Sequence, residues 1–271
     1  MTRKDHNTVD IEGTTISFDD FGKGEVPIIF IHGFPFDKSS WQPQIDFLKK
    51  RHRVIAYDIR GFGASITNDE QESIDLFSND LVKFMDTLSI KKAIVCGLSM
   101  GGYILLNAVH RFSDRFEAII LSDTQCIADS EAAKEKRGKS IKQIEAEGLK
   151  DFADGFIKNV FCQNSLDNKK ELVETIKNVI LKTSQRTVVG TLAALAQRSE
   201  MCASLNQISV PTLIICGKED SVTPPIQAEF MYGKILNSRL QIIENAGHLS
   251  NLEQPDEFNK ILIDFISSIE N

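Results

Sequence analysis

The chain has 271 residues, a formal net charge of −7 and 42% apolar residues. Those values suit a globular protein long enough to bury a large core, and they leave no basic footprint for nucleic acid or an anionic lipid surface. No apolar run approaches the ~18 residues of a membrane span, and the polar opening MTRKDHNTVDIEG lacks the apolar stretch of a signal peptide.

Elements follow in chain order. Residues 8–20 read as a hairpin turning at Glu12 and Gly13. VPIIFIHG (26–33) and HRVIAYD (52–58) are continuous apolar strands, and SIDLFSNDLVKFMDTLSI (73–90) places Leu76, Phe77, Leu81, Phe84, Met85 and Leu88 on one helical stripe. KKAIVCG (91–97) is a strand, YILLNAVHRF (103–112) a helix and FEAIILSD (116–123) a strand. Residues 125–205 then hold no strand signal and four helical stretches, near 130–146, 149–161, 168–182 and 185–196. The strand pattern resumes at PTLIICG (211–217) and SRLQIIENA (238–246), with proline-led helices at 224–235 and 255–269. Continuous Val/Ile/Leu runs mark strands covered on both faces, and the alternation predicts an α/β fold with a mostly parallel eight-stranded sheet. Residues 1–124 and 206–271 form its core, and 125–205 are expected to be a helical lid over an active site.

The five cysteines, Cys96, Cys126, Cys162, Cys202 and Cys216, are scattered, odd in number and form no C-x-x-C pair. Reduced thiols in a cytoplasmic protein are therefore expected.

GLSMG (97–101) fits G-x-S-x-G in the context that pattern requires, after an apolar strand and at the start of a helix. Small neighbours permit a tight turn that projects Ser99 outward, with free helix N–H groups behind it. A serine hydroxyl needs a base. His6 lies in a polar tail, and His52 and His110 read as solvated. His32 and His248 both fall at the carboxyl edge of the sheet, where sites of open α/β sheets lie. His248, on a loop after the last strand, can reach Ser99. The histidine in turn needs an orienting carboxylate. Asp220, at the tip of the loop in GKEDSVTPP, is the first choice; Glu219 and Asp123 are its rivals. Two N–H donors must hold an oxyanion. Met100, after the serine, and Phe34, in HGFPFD, supply them, since Pro35 has no N–H. Trp41, Phe152, Phe156, Phe161 and Met201 are candidate walls of an apolar pocket, and Arg137, Arg186 and Arg198 candidate partners for an anionic substrate.

Five segments in order, FIHGFPFDKSSW, YDIRGFGAS, CGLSMGGY, GKEDSVTPP and AGHLSNLEQP, resemble the α/β-hydrolase superfamily along the whole core. LSDT followed by a charged four-helix lid is similar to the small bacterial carboxylesterases and 3-oxoadipate enol-lactonase-type hydrolases. The resemblance implies Ser99 as nucleophile, His248 as general base, Asp220 as the acid and Phe34 and Met100 as oxyanion donors. It implies hydrolysis of a small ester or lactone through an acyl-enzyme. Serine at the elbow, where related dehalogenases and epoxide hydrolases use aspartate, agrees. Perhydrolysis, C–C bond hydrolysis or a receptor-like protein with little turnover are the alternatives on the same fold. There is no H-E-x-x-H, no Cys/His cluster and no phosphate-binding glycine motif. No metal or cofactor is expected, and the chain should act as a monomer or small homo-oligomer.

Overall fold

One eight-stranded sheet organises the chain in a computed structural model that describes residues 7–67 and 71–270; His6 lies outside them. The strands are β1 (Asn7–Ile11), β2 (Thr14–Phe21), β3 (Ile28–Ile31), β4 (Val54–Tyr57), β5 (Ala93–Leu98), β6 (Phe116–Ser122), β7 (Thr212–Gly217) and β8 (Ser238–Ile243). They lie in the order β1-β2-β4-β3-β5-β6-β7-β8. The first two join antiparallel, β2 meets β4 antiparallel, and every later pairing is parallel. Strands β3 to β5 and β7 are buried at every position, as their unbroken apolar runs predict. The edge strand β8 alternates instead between half-buried and exposed positions, because one of its faces is only partly covered and the other is open, and it ends at Ile243 rather than Ala246.

Helices α1 (Gln42–Leu48), α2 (Ile74–Thr87) and α3 (Met100–Arg111) fall between the early strands. Between β6 and β7 come α4 (Glu131–Glu147), α5 (Lys150–Val160), α6 (Gln163–Asn168), α7 (Lys170–Lys182) and α8 (Gln185–Gln197). Helices α9 (Pro225–Tyr232), α10 (Ser250–Glu253) and α11 (Pro255–Glu270) complete the set. Helix α3 starts three residues before the expected Tyr103, because Ser99 itself ends the strand. The short α6 fills a stretch that periodicity left blank.

Two apolar cores flank the sheet. Phe77, Phe84, Ile104 and Leu105 of α2 and α3 build one; Ile45, Leu48, Phe258 and Leu262 of α1 and α11 build the other. The inserted helices join both. Ile144, Val188 and Leu192 belong to the first core, and Ile157, Val160 and Ile180 to the second.

The cysteine expectation is corrected here. Cys126 and Cys202 form a disulfide across 76 residues of sequence. β6 and β7 are adjacent parallel strands, so the segment leaving one and the segment entering the other lie at opposite edges of the sheet; the chain comes back beside the end of β6 after α8, before it crosses to enter β7. Met201 N–H donates to the Cys126 carbonyl (2.8 Å), and the two cysteine Cα atoms lie 5.0 Å apart. Linear separation concealed that neighbourhood, and the thiol-based argument for a cytoplasmic setting fails for this pair. Cys96, Cys162 and Cys216 are free and buried. Among the described residues no helix is long and apolar enough to cross a membrane.

Candidate active site

Ser99 stands between the last residue of β5 and the first of α3 with φ 53° and ψ −112°. A non-glycine residue in that region costs on the order of 1–3 kcal/mol and persists only where its surroundings impose it. The surroundings do so. Ser99 N–H donates to the Ser122 carbonyl (2.9 Å), and the Thr124 hydroxyl donates to the Ser99 carbonyl (2.8 Å). A Cβ on Gly97 would come within 2.3 Å of the Gly101 carbonyl oxygen, and one on Gly101 within 2.4 Å of the Ile31 carbonyl oxygen. Only glycines let strand, turn and helix close this tightly.

Three side chains from separate loops meet in line. Ser99 Oγ lies 2.8 Å from His248 Nε2, and His248 Nδ1 lies 2.7 Å from Asp220 Oδ2. All three residues are buried. Asp220 accepts four hydrogen bonds, from Val222 N (2.8 Å) and Thr223 N (2.9 Å) at Oδ1, and from Thr223 Oγ1 (2.8 Å) and His248 at Oδ2. An ionised carboxylate only accepts, so Nδ1 carries the proton and Nε2 is left to receive one from Ser99. Burial works to lower the His248 pKa, but the charge and hydrogen bond of Asp220, helped by Asp123 and Glu253, outweigh it and hold the pKa above its ordinary value. For Asp220, burial pushes the other way, and His248 with the Thr223 donors wins, holding the carboxylate below its ordinary range.

The rival acids hold other positions: Asp123 is a close neighbour of Asp220 but has its own set of donors. Glu219 is exposed. Asp123 is fully buried and accepts from Ser122 Oγ (2.8 Å), Ser250 Oγ (2.6 Å) and Gly217 N (2.8 Å). It ties the ends of β6 and β7 to the residues after His248. Burial first, and then the charge of Asp220, push its pKa up to about 7.

The second glycine loop packs on the elbow. A Cβ on Gly33 would sit 3.2 Å from Ser99 Cβ. The Phe34–Pro35 peptide is cis, and the loop closes through Phe36 N–H on the Gly33 carbonyl (2.9 Å). Met100 is the first residue of α3, so its N–H has no acceptor within the helix, and among the described residues the turn bonds around Gly33 do not use the Phe34 N–H. His32 has a structural place. Its Nε2 accepts from Ile59 N (3.0 Å), its Nδ1 faces the Gly33 carbonyl (2.9 Å), and burial lowers its pKa, which keeps it neutral. Buried Lys38 adds a second tie, with Nζ 2.6 Å from Asp58 Oδ2 and 2.9 Å from Ser17 Oγ.

Of the five pocket candidates, two converge. Phe152 and Phe156 on α5 approach the Phe34 ring at 6.2 and 6.0 Å between centroids, and Phe62 joins at 6.3 Å. Trp41 does not: it is fully buried in the α1/α11 core, 4.6 Å from Phe30 and 6.0 Å from Phe258. Phe161 is also buried in that core, because it follows the last turn of α5, whose inner face packs there. Met201 lines a separate cavity of about 200 Å³ with Tyr103, Asn107 and Arg198. These three lie apart from the Phe34 ring cluster, because an aromatic residue or a methionine has several apolar faces of the fold to pack against. The arginines are engaged. Arg137 and Arg198 share Asp129 at 2.5 Å each, Arg198 also lies over the Tyr103 ring, and Arg186 is exposed on α8.

Sequence reasoning did not select Thr223, Lys38 or Glu253. Thr223 had a signal, since an Asp followed by Ser and Thr is a side-chain-to-backbone turn pattern. Lys38 and Glu253 had none, because a charged residue near a loop is ordinarily solvated.

Residues 26–255 match the family model described as alpha/beta hydrolase fold. The chain is 30% identical to 3-oxoadipate enol-lactonase 2 of Acinetobacter baylyi over 254 residues, covering 93% of each. It is 32% identical to 3-oxoadipate enol-lactonase 1 of the same organism over 260 residues, covering 96% of each. A thermophilic esterase from Thermogutta terrifontis superposes with a TM-score of 0.92 at 30% identity over the full length of both chains. The enol-lactonase from Burkholderia xenovorans superposes with a TM-score of 0.89 at 28% identity, over 96% of this chain and 100% of that one.

Proposed function

We propose that this chain, which belongs to the α/β-hydrolase fold family, is a serine hydrolase of carboxylic esters or lactones. The observation that carries this is the unbroken hydrogen-bonded line from Ser99 Oγ through His248 to Asp220. The enol-lactonases and the esterase among its relatives supply the bond type.

In this mechanism Ser99 Oγ attacks the acyl carbon while its proton passes to His248 Nε2. Asp220 orients the ring and stabilises the imidazolium that forms. The carbonyl oxygen becomes an oxyanion between the N–H groups of Phe34 and Met100. Collapse expels the alcohol, which takes the proton from His248, and leaves an acyl group on Ser99. Water then attacks that ester, loses its proton to His248 and releases the acid, with the proton returned to Ser99. For a lactone the alcohol stays tethered to the same product. Residues 125–205 act as the lid, and Phe152 and Phe156 with Phe34 form an apolar wall for a small to medium acyl group.

The test is steady-state hydrolysis of p-nitrophenyl acetate and butyrate and of a lactone panel across pH. Turnover of at least one class is expected. His248 acts as a base only when neutral, and its pKa is raised above 6.5. The acid limb of kcat/KM should therefore have its midpoint above that value, with activity lost as pH falls through it. No turnover on any ester or lactone would defeat the proposal.

A further inference from the structure

We infer that Glu253 is a positioning residue that clamps the histidine loop to the inserted helical segment, so that His248 and the acyl-pocket helix α5 are held as one unit. The inference rests on the proposed role of His248. Glu253 is fully buried at the end of α10. Its Oε1 accepts from Gly247 N (2.7 Å), the residue before His248; its Oε2 accepts from Cys162 N (2.9 Å), just past α5. One carboxylate thus satisfies a backbone donor on each side of the junction.

Three further contacts cross the same junction. His248 N–H donates to the Val160 carbonyl (2.8 Å), the Cys162 thiol to the Asn245 carbonyl (3.4 Å), and the Lys169 ammonium to the Glu253 backbone carbonyl. A Cβ on Gly247 would lie 2.7 Å from Cys162 N, so only glycine permits this approach. Helix α5 therefore has two duties. Phe152 and Phe156 face the Phe34 loop, and one turn further on Val160 fixes the backbone of His248. Displacing α5 would move the histidine.

Glutamine is the informative substitution. It keeps the shape of Glu253 but offers one acceptor oxygen for two N–H groups, so whichever way the amide turns, one donor faces an NH2. The carboxylates that face His248 are Asp220, Asp123 and Glu253, and all three raise its pKa. Glu253→Gln should lower kcat on p-nitrophenyl acetate roughly 10- to 100-fold, with KM changed less than about threefold. The acid limb should move to lower pH, because a negative charge near the histidine is gone. Hydrogen exchange should speed up together in segments 157–163 and 245–249. Wild-type kcat with an unmoved pH profile, or faster exchange in only one segment, would overturn the clamp. Should the variant not fold, wild-type exchange decides: matched protection of the two segments supports the clamp, and protection differing by more than about tenfold rejects it. Exchange needs no turnover. A wild type without Ser99-dependent hydrolysis would therefore sink the functional proposal and leave the clamp to be judged on exchange alone.

Discussion

Replacing Ser99 with alanine should lower kcat on p-nitrophenyl acetate by about 10⁶-fold, with binding of substrate little changed. The loss is large because every later step needs the hydroxyl. Without Oγ there is no acyl group to transfer, and His248 and Asp220 have nothing to activate. What remains is the oxyanion pair Phe34 and Met100 acting on water, worth about 10³-fold over the uncatalysed reaction. The backbone should tolerate the change. Alanine can occupy the same strained conformation, held by Ser122 and Thr124 through main-chain atoms of residue 99. Circular dichroism and the thermal midpoint of the variant should match wild type, and activity alone should fall. Retention of more than a tenth of the rate would place the chemistry elsewhere.

The second large effect separates two buried carboxylates. Asp220→Asn should lower kcat by about 10⁴-fold. The reason lies in its four donors. Val222 N and Thr223 N both point at Oδ1, so the amide oxygen of asparagine must stay there. Its NH2 then replaces Oδ2 and faces His248 Nδ1. The ring is forced into the tautomer with its proton on Nε2, which donates to Ser99 instead of accepting from it. Asp123→Asn should cost less than about tenfold, since Asp123 makes no bond to the ring and reaches it only by charge. It should also lower the acid limb of the pH profile, because Asp123 helps to raise the His248 pKa. Equal losses in the two variants would mean that the acid is shared.

Most of this site could be read before any coordinates. The strand before Ser99, the histidine after the last strand and the carboxylate after β7 are local patterns, and the parallel sheet brings all of them to one edge. The choice of Asp220 over Asp123 rested on loop position alone, and its hydrogen bond to His248 agrees with that choice. Pairings across the insertion were illegible. Cys126 with Cys202, and Glu253 with Cys162, depend on how a helical block returns to the sheet, and no periodicity encodes that. Pocket walls are hard to read from sequence for a related reason. Trp41 and Phe161 have the hydrophobicity of a substrate wall, but the same property draws them into the α1/α11 core. Phe152 and Phe156 line the Phe34 loop because they sit on the half-buried face of α5.

Covalent labelling tests the central claim most directly. An alkyl fluorophosphonate forms a stable adduct only with a serine whose hydroxyl is activated and whose oxyanion is held. Peptide mass spectrometry after brief treatment should find a single phosphonyl group on Ser99, blocked by prior ester substrate and matched by complete loss of hydrolysis. Esterase activity that persists with Ser99 fully labelled, or a label that lands on another residue while activity is lost, would contradict the account.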